Sequence, residues 1–319
     1  MNKGLLVCWL LSCVYAAEAR QAVAAADTIT RTIDEYNGVQ YTVQLQTDSA
    51  GNPARYHAYI FTPVCEDHLC KPVYINLYWD LLGNYLHYEV PLNEPLTKLD
   101  HVEFEPEEYK RLDEMLADPE SLLKDYQIEE LVESTTNVRP GGEVDAVTGA
   151  TSKSLQAVVI PGALYTCYTL WHIVHGRVRD TIASMTDSLV SPALLSHFLQ
   201  SGNYHYQHYA LDRLMDGAGI IQAGFEEEVA DLIGSPNVFL AQRVLKSIAP
   251  DYLQSAKRQR WLGQLFIGAN YRLQLALLTK LEEVPLTRDL KKTLETHRQD
   301  FNDEIATKIE QILNKRKRT

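Results

Sequence analysis

The second half of the chain carries a repeat of about 33 residues, and this repeat constrains the fold more than any other sequence feature. Three stretches align on Asn203, Asn237 and Asn270, at spacings of 34 and 33 residues. Each asparagine follows an amphipathic run and a pair of small residues, so each unit is predicted to form a helix, a turn and a second helix. Residues 186–319 are therefore predicted to be all-α. Apolar residues recur eight and eleven positions after the asparagines: Leu211, Leu245 and Leu278, then Leu214, Ile248 and Leu281.

A single helical pair cannot bury its apolar stripe, so units of this length become stable when they stack on one another. The repeat in residues 186–319 therefore resembles HEAT-type repeats, and the resemblance implies a solenoid-like helical domain. A helical bundle without a repeat is the alternative, because only a few positions match in each unit. Both folds favour the binding of a partner over catalysis in this part of the chain.

Residues 20–185 have a different pattern, in which short β-rich runs come first and helical runs follow. Clusters of Gly, Asn, Ser and Pro separate the β-rich runs, as expected of antiparallel strands joined by turns. This part is therefore predicted to be an α+β domain. The predicted strands are Tyr41–Leu45, Ala54–Phe61 and Pro72–Trp79. Helices are predicted over Pro106–Leu116 and Pro119–Lys124, and a loop over 134–144.

Residues 1–19 are predicted to be an export signal. A basic residue precedes an apolar run, and Ala17 and Ala19 fit the small-x-small pattern of a cleavage site. Cleavage there gives a mature protein outside the cytoplasm, in the periplasm or associated with the cell envelope. The alternative is a lipoprotein signal with a lipid anchor on Cys13, which simple cleavage outweighs because the segment before Cys13 is short for such a signal.

The charge balance excludes one class of partner. Acidic residues outnumber basic residues 42 to 30, which gives a formal charge of −12, whereas a general nucleic-acid binder needs a basic surface. Residues 94–133 hold fourteen Asp or Glu against four Lys or Arg, so the acidity is concentrated where a partner protein could dock. No uninterrupted apolar run of the length needed to span a membrane follows residue 20.

Three cysteines follow the signal. Cys65 and Cys70 are separated by four residues in a chain expected to be exported, where a disulfide is the ordinary outcome. A redox-active dithiol and a metal site that adds Asp67 and His68 are the alternatives, although no second Cys/His pair completes a structural zinc set. Cys167 lies in a helical run without a neighbouring base, so it is predicted to be a buried structural thiol.

Two pairs of histidines are spaced for one helix face: His172 with His175, and His205 with His208. Neither pair has a carboxylate at the offset of a metalloprotease motif, so they are predicted to lie at surfaces or helix ends. The chain also lacks a Gly-x-Ser-x-Gly elbow, a Walker loop and a dinucleotide fingerprint. Hydrolase and nucleotide-dependent functions are therefore not predicted, and no metal ligands are assigned.

The segment from Asp145 to Lys153 reads Asp-Ala-Val-Thr-Gly-Ala-Thr-Ser-Lys. It resembles the covalent-flavin attachment motif of the FMN-binding domain family, which includes flavin subunits of the sodium-pumping NADH:quinone reductase and the Rnf complex. The resemblance implies that Thr151 carries FMN through a phosphoester. It also implies that a flavin transferase reads Asp145 and the rest of the motif during maturation.

The residue types around Thr151 suit a phosphate on physical grounds. Gly149 and Ala150, which follow Thr148, leave the backbone N–H groups open to close approach. Ser152 is placed to cap a following helical run, so Thr151 is expected near a helix N-terminus, and Lys153 adds a positive charge.

Two functions are compatible with these features. The first is an exported flavoprotein, an electron-transfer component rather than an independent catalyst, with an extracytoplasmic redox protein or envelope component as its partner. The second is a non-catalytic binding or scaffold protein that uses its helical repeat and lacks flavin. It is favoured by the absence of the Glu-Thr-Pro-Gly sequence that many family members carry upstream. Aromatic residues such as Tyr78, Tyr85 and Tyr88 could stack on a flavin ring, but cross-strand pairing explains them more simply.

Overall fold

The computed structural model of the protein describes residues 29–34, 39–64, 71–98, 101–127 and 158–315. The chain divides into two compact units between Ser188 and Leu189, and each unit is described by itself. The described part of the first unit is α+β and that of the second is all-α, which confirms the predicted fold class at this level. The signal predicted at residues 1–19, the cysteines Cys65 and Cys70 and the loop predicted over 134–144 lie outside the described residues.

The first unit contains a five-stranded antiparallel sheet whose strands are neighbours in chain order. The three strands predicted from the sequence are observed as β2 (Gln40–Thr47), β3 (Pro53–Thr62) and β4 (Val73–Trp79). Their observed bounds differ from the predicted bounds by at most two residues. Along β3, alternate side chains from Tyr56 to Thr62 are buried while Tyr59 and Phe61 are exposed, because the described helices pack on one face of the sheet. The strands are β1 (Thr30–Asp34), β2 (Gln40–Thr47), β3 (Pro53–Thr62), β4 (Val73–Trp79) and β5 (Tyr85–Glu89).

The hairpins β2–β3 and β4–β5 close with the same kind of turn. In each turn one aspartate, Asp48 or Asp80, accepts hydrogen bonds from the backbone N–H groups two and four residues later. Gly51 and Gly83 take the fourth position, with φ of 85° and 80°. This left-handed conformation favours glycine, which explains why the turn signals in the sequence are strong here.

Three helices and one 3-10 helix complete the described part of the first unit. Trp79 of β4 is fully buried, and its Nε1–H donates to the Val174 carbonyl at 3.1 Å. The buried hydroxyl of Tyr56 on β3 lies 3.1 Å from the hydroxyl of Thr186. These contacts fasten α2 and α3 to the covered face of the sheet. The helices are α1 (Pro106–Ala117), the 3-10 helix Leu122–Asp125, α2 (Leu164–His175) and α3 (Arg177–Ser188).

The predicted helix over Pro106–Leu116 is α1, which begins with Pro106 in its first turn and with a reciprocal cap between Glu105 and Glu108. The second predicted helix, over Pro119–Lys124, is wrong in its start and its type. The observed element is one 3-10 turn from Leu122, because the hydroxyl of Ser121 caps it by accepting from the Leu123 N–H.

The second unit consists of helices joined by short connections. They form four successive pairs, in which α4 precedes α5, α6 precedes α7, α8 precedes α9 and α10 precedes α11. The 3-10 helices are Leu232–Gly234, Pro250–Leu253 and Arg298–Asp300. The α-helices are α4 (Pro192–Gln200), α5 (Tyr204–Leu214), α6 (Glu226–Asp231), α7 (Val238–Ser247), α8 (Ala256–Gly268), α9 (Tyr271–Leu281), α10 (Arg288–His297) and α11 (Asp303–Lys315).

The asparagines of the sequence repeat cap the second helix of each pair. The side chains of Asn203, Asn237 and Asn270 each accept from backbone N–H groups in the first turn that follows. Asn302 does the same for α11, so the repeat has a fourth member. First helices pack on first helices, α4 on α6 and α8 on α10, while second helices pack on second helices, α7 on α9 and α9 on α11.

The apolar positions that define the repeat are all in the core: Leu211, Leu214, Leu245, Ile248, Leu278 and Leu281 are buried. Within the ranges described, no helix has both the length and the apolar character that crossing a membrane requires.

Candidate functional site

The residues predicted to hold a cofactor stand between two described ranges, one ending at residue 127 and the other starting at residue 158. We call residues 128–157, between these two ranges, the segment. Contacts of the described residues show how the chain is held before and after it. The predicted residues themselves are outside the described part: Asp145, Thr148, Gly149, Ala150, Thr151, Ser152 and Lys153.

Before the segment, helix α2 holds the connection that runs from α1 to the 3-10 helix. Three ring N–H groups of α2 donate to backbone carbonyls in the last turn of α1, in that connection and in the 3-10 helix. Trp171 Nε1 bonds to the Asp118 oxygen at 2.9 Å, and His175 Nε2 bonds to the Leu116 oxygen at 2.9 Å. His172 Nε2 bonds to the Leu123 oxygen at 3.1 Å. We call Trp171, His172 and His175 the ring clamp.

The two histidines of the ring clamp are half-buried, and burial lowers the pKa of both. The nearby Arg179 guanidinium lowers the pKa of His175 further, whereas the Asp118 carboxylate acts in the opposite direction. Both imidazoles are therefore neutral at pH 7, with the proton on the Nε2 that faces the carbonyl. They lie in the last turn of α2, at the helix end that the sequence predicts, and they are half-buried packing groups rather than surface groups.

The first described residues after the segment lie in the core of the first unit. Val159 and Ile160 are buried, and the Ala163 N–H donates to the Ile160 carbonyl at 2.9 Å just before α2 begins. Cys167 on α2 is fully buried, and burial raises the pKa of its thiol to about 11. The prediction that Cys167 is a buried thiol is confirmed, and at pH 7 it is a poor nucleophile.

The face of the sheet opposite the described helices carries a row of polar and aromatic side chains across β2 to β5. Gln44 Nε2 donates to His57 Nδ1 at 2.8 Å, and His57 Nε2 donates to Asn76 Oδ1 at 2.8 Å. Beside them, the rings of Tyr78 and His87 stack with their centroids 4.4 Å apart. The row is a ladder of cross-strand pairs, which is the simpler interpretation that the sequence supports for Tyr78.

The Tyr78 side chain makes two more contacts on this face of the sheet. Its hydroxyl donates to Glu89 Oε2 at 2.9 Å, and the guanidinium of Arg55 lies 4.6 Å from its ring centroid. Burial and the Glu89 carboxylate raise the pKa of this hydroxyl. With both sides of the ring in contact with protein, Tyr78 offers no open face to a planar cofactor.

Tyr85 and Tyr88 point to the other side of the sheet and pack against α1. Tyr85 donates to Asp113 Oδ1 at 2.6 Å, and Tyr88 donates to the Tyr109 carbonyl at 2.8 Å. Burial is the largest cause of the raised pKa of both hydroxyls, and Asp113 adds to it. Both tyrosines are also cross-strand partners, Tyr85 of Trp79 and Tyr88 of Leu77, as the simpler interpretation predicts, and they fix α1 on the sheet.

The second histidine pair lies at the junction of two helical pairs. On α5, His208 and Asp212 both contact the guanidinium of Arg243 on α7. The ring of His205 packs against that of Tyr204, with centroids 3.9 Å apart. Among the residues that the structure describes, no group of three or more His, Cys, Asp or Glu side chains is arranged to hold a metal ion.

Comparison with known proteins finds no match: no family model, no curated protein and no solved structure is similar to this chain.

Proposed function

We propose that the protein is an exported flavoprotein that carries FMN on Thr151 and takes part in electron transfer outside the cytoplasm. One observation carries the proposal: residues 145–151 match, position by position, the attachment motif of the FMN-binding domain family that they resemble. The Thr151 hydroxyl is the nucleophile that a phosphoester needs. When attached, FMN supplies the one- and two-electron chemistry.

The described residues on either side of the motif are compatible with this role. The ring clamp holds the chain as far as Leu123, which precedes Asp145 by 22 residues, and the buried Val159 and Ile160 follow Lys153 by six and seven residues. Both anchors involve α2 or the residues leading into it. A flavin on this segment is therefore tethered to a folded unit at both ends, as a carrier needs if its group is to be presented to a partner.

The acidic region predicted as a docking surface is partly described. On and around α1, Glu103, Glu105, Glu107 and Glu114 are exposed. Exposed carboxylates on and beside one helix raise the rate of encounter with a basic protein more than they raise its affinity. We therefore propose a basic extracytoplasmic redox protein as the electron-transfer partner.

A second candidate function, protein binding by a HEAT-like solenoid, is supported by the four helical pairs of the second unit. Their like-with-like packing, first helix on first and second on second, is what stacking of repeats requires. In this case the first unit has no flavin, and the second unit alone carries the function.

The experiment that tests the flavin assignment compares Thr151→Ala with Thr151→Ser in cells that export the protein and contain a flavin transferase. Flavin fluorescence of the denatured protein on a gel reports only covalent attachment. We expect Thr151→Ser to keep the signal and Thr151→Ala to lose it, because the motif accepts either hydroxyl residue. Fluorescence retained in Thr151→Ala would show that another residue carries the flavin.

A further inference from the structure

The first two helical pairs of the second unit are joined on two sides. On the side of the first helices, α4 packs on α6, and the Ser196 hydroxyl donates to Glu228 Oε1 at 2.8 Å. On the side of the second helices, the guanidinium of Arg243 on α7 contacts two side chains of α5, His208 and Asp212. This second junction contains a histidine, so the protonation of one ring can change it.

The Arg243 guanidinium contacts its two partners as a fork. His208 and Asp212 are four residues apart on α5, so they lie on the same face of that helix. One terminal nitrogen of Arg243 faces His208 Nδ1, and the other donates to Asp212 Oδ1. A planar guanidinium, whose donors point in fixed directions, fits two acceptors that are arranged in this way. We call His208, Asp212 and Arg243 the interhelix triad.

The contact with Arg243 determines the protonation state of the His208 ring. A guanidinium has donors and no acceptor, so His208 Nδ1 accepts and the ring proton lies on Nε2. A second ring proton can go only to Nδ1, where it would remove the lone pair that accepts from Arg243. The contact between the two side chains therefore requires His208 to be neutral.

The groups around the His208 ring favour its neutral form. Burial is the largest cause that lowers the pKa of His208, and the Arg243 guanidinium lowers it further. The Asp212 carboxylate raises this pKa, whereas His205, three residues earlier on α5, lowers it. Helix α4, which packs on α5, has one titratable side chain, His197, and this side chain is exposed. The balance is a pKa below the ordinary value for histidine.

We propose that the interhelix triad is an acid-sensitive link between the first two helical pairs. When His208 takes up a proton, it releases Arg243, which stays on Asp212 alone, and the contact between α5 and α7 weakens. The packing of α4 on α6 does not involve His208 and keeps the two pairs together. Because each pair in a helical repeat is stabilised by its neighbours, acid weakens one interface of the second unit. The link involves neither Thr151 nor flavin, so it stands or falls separately from the proposed function.

The link is complete at neutral pH and is lost in mildly acidic solution. The pKa of His208 is lower in the folded chain than in the unfolded chain, so the unfolded chain takes up its proton first, at about pH 6.5. The stabilisation by the link is fully present above that pH. It is lost progressively as pH falls through the lower pKa of the folded state.

The first test is nuclear magnetic resonance of the full-length protein with ¹⁵N-labelled histidine, which reports the tautomer and the pKa of each ring. We expect His208 to carry its proton on Nε2 at pH 7.5. In Arg243→Met, which removes the donors and the charge, the ring should populate both tautomers and its pKa should rise. The matched control is Lys246→Met, which removes an exposed cation of the same helix and should leave the His208 signals unchanged. An unchanged tautomer and pKa in Arg243→Met would overturn the proposal.

The second test is a double-mutant cycle of His208→Ala and Arg243→Met, measured by urea unfolding at pH 7.5 and pH 5.0. At pH 7.5 we expect the two side chains to be coupled by roughly twofold to fivefold in the unfolding equilibrium constant, and at pH 5.0 the coupling should disappear. The cycle cancels the titration of histidines elsewhere in the chain. A control cycle of Asp212→Asn with Arg243→Met contains no histidine and should keep its coupling at both pH values. Equal His208–Arg243 coupling at the two pH values would contradict the proposal.

Discussion

His172 and His175 connect a helix to a stretch of chain about fifty residues earlier. Each donates its Nε2–H to a backbone carbonyl, His172 to that of Leu123 and His175 to that of Leu116. The two ring planes also contact Trp171, the third member of the clamp. Together these side chains hold α1 and the 3-10 helix on α2, and only the neutral form of each histidine suits this environment.

The stability of the protein is predicted to fall in mildly acidic solution because of these two histidines. Their pKa is lowered in the folded state, so as pH falls through about 6.5 the unfolded chain takes up protons before the folded chain does. The stabilisation is complete above that pH and is lost progressively below it. We expect the His172→Gln, His175→Gln double variant, which keeps N–H donors but cannot titrate, to lose less stability between pH 7.5 and pH 5.5. Urea unfolding at both pH values measures this, and an unchanged pH dependence would contradict it.

The asparagine caps show what residue-level patterns reveal and what they miss. The repeat correctly predicts that Asn203, Asn237 and Asn270 are equivalent positions, because apolar residues recur at constant distances after them. The repeat pattern does not reveal Asn302, because the buried residues Ile309 and Ile312 of α11 follow this asparagine by seven and ten residues rather than eight and eleven. The position seven residues after the cap is buried in all four helices, so the fourth unit reuses the cap with an apolar stripe that lacks the buried residues at eight and eleven.

At the scale of elements, the strands with clean alternation could be predicted and the others could not. β3 alternates from end to end, whereas β5 contains a bulge opposite Tyr78 and Trp79 that interrupts its pattern. Short β1, with one buried residue in five, gives almost no signal. The burial of His172 and His175 escaped prediction for a related reason, because their partners lie about fifty residues away and local periodicity does not report distant contacts.

The two identical hairpin turns provide a matched pair of substitutions. Gly51→Ala should cost about 1–2 kcal/mol of unfolding free energy, because alanine is strained at positive φ. Gly83→Ala should cost more, since its new Cβ would lie 3.2 Å from the Cα of Arg179, whereas nothing lies within 4 Å at Gly51. Urea unfolding of both variants gives the difference. Equal losses would mean that α3 moves away from the turn without cost.

A disulfide between Cys65 and Cys70 is predicted for the β3–β4 connection. The strands pair as far as Thr62 opposite Val73, and the cysteines stand three residues beyond this pair on either side in sequence. Thiol titration of the denatured mature protein should find one free thiol, that of Cys167, and Cys65→Ser should cost about 2 kcal/mol. Three titratable thiols would show that the cysteines are reduced, as the dithiol alternative allows.

For the whole molecule, the order of an α+β unit and a helical unit follows from the change of periodicity along the sequence. The proposed chemistry is a different matter, because it rests on a nine-residue motif from Asp145 to Lys153 that no periodic pattern explains. The sign of the charge also differs along the chain, because the chain as a whole is acidic while α5, α7 and α9 together are basic.

The central claim, a flavin on Thr151, is tested most directly by the mass of the mature protein made in an exporting host with a flavin transferase. We predict a gain equal to FMN less one water, located on the tryptic peptide Asp125–Lys153. An unmodified mass, obtained while a control substrate in the same cells is flavinylated, would contradict the claim and leave the helical unit as the part of the chain that carries the function.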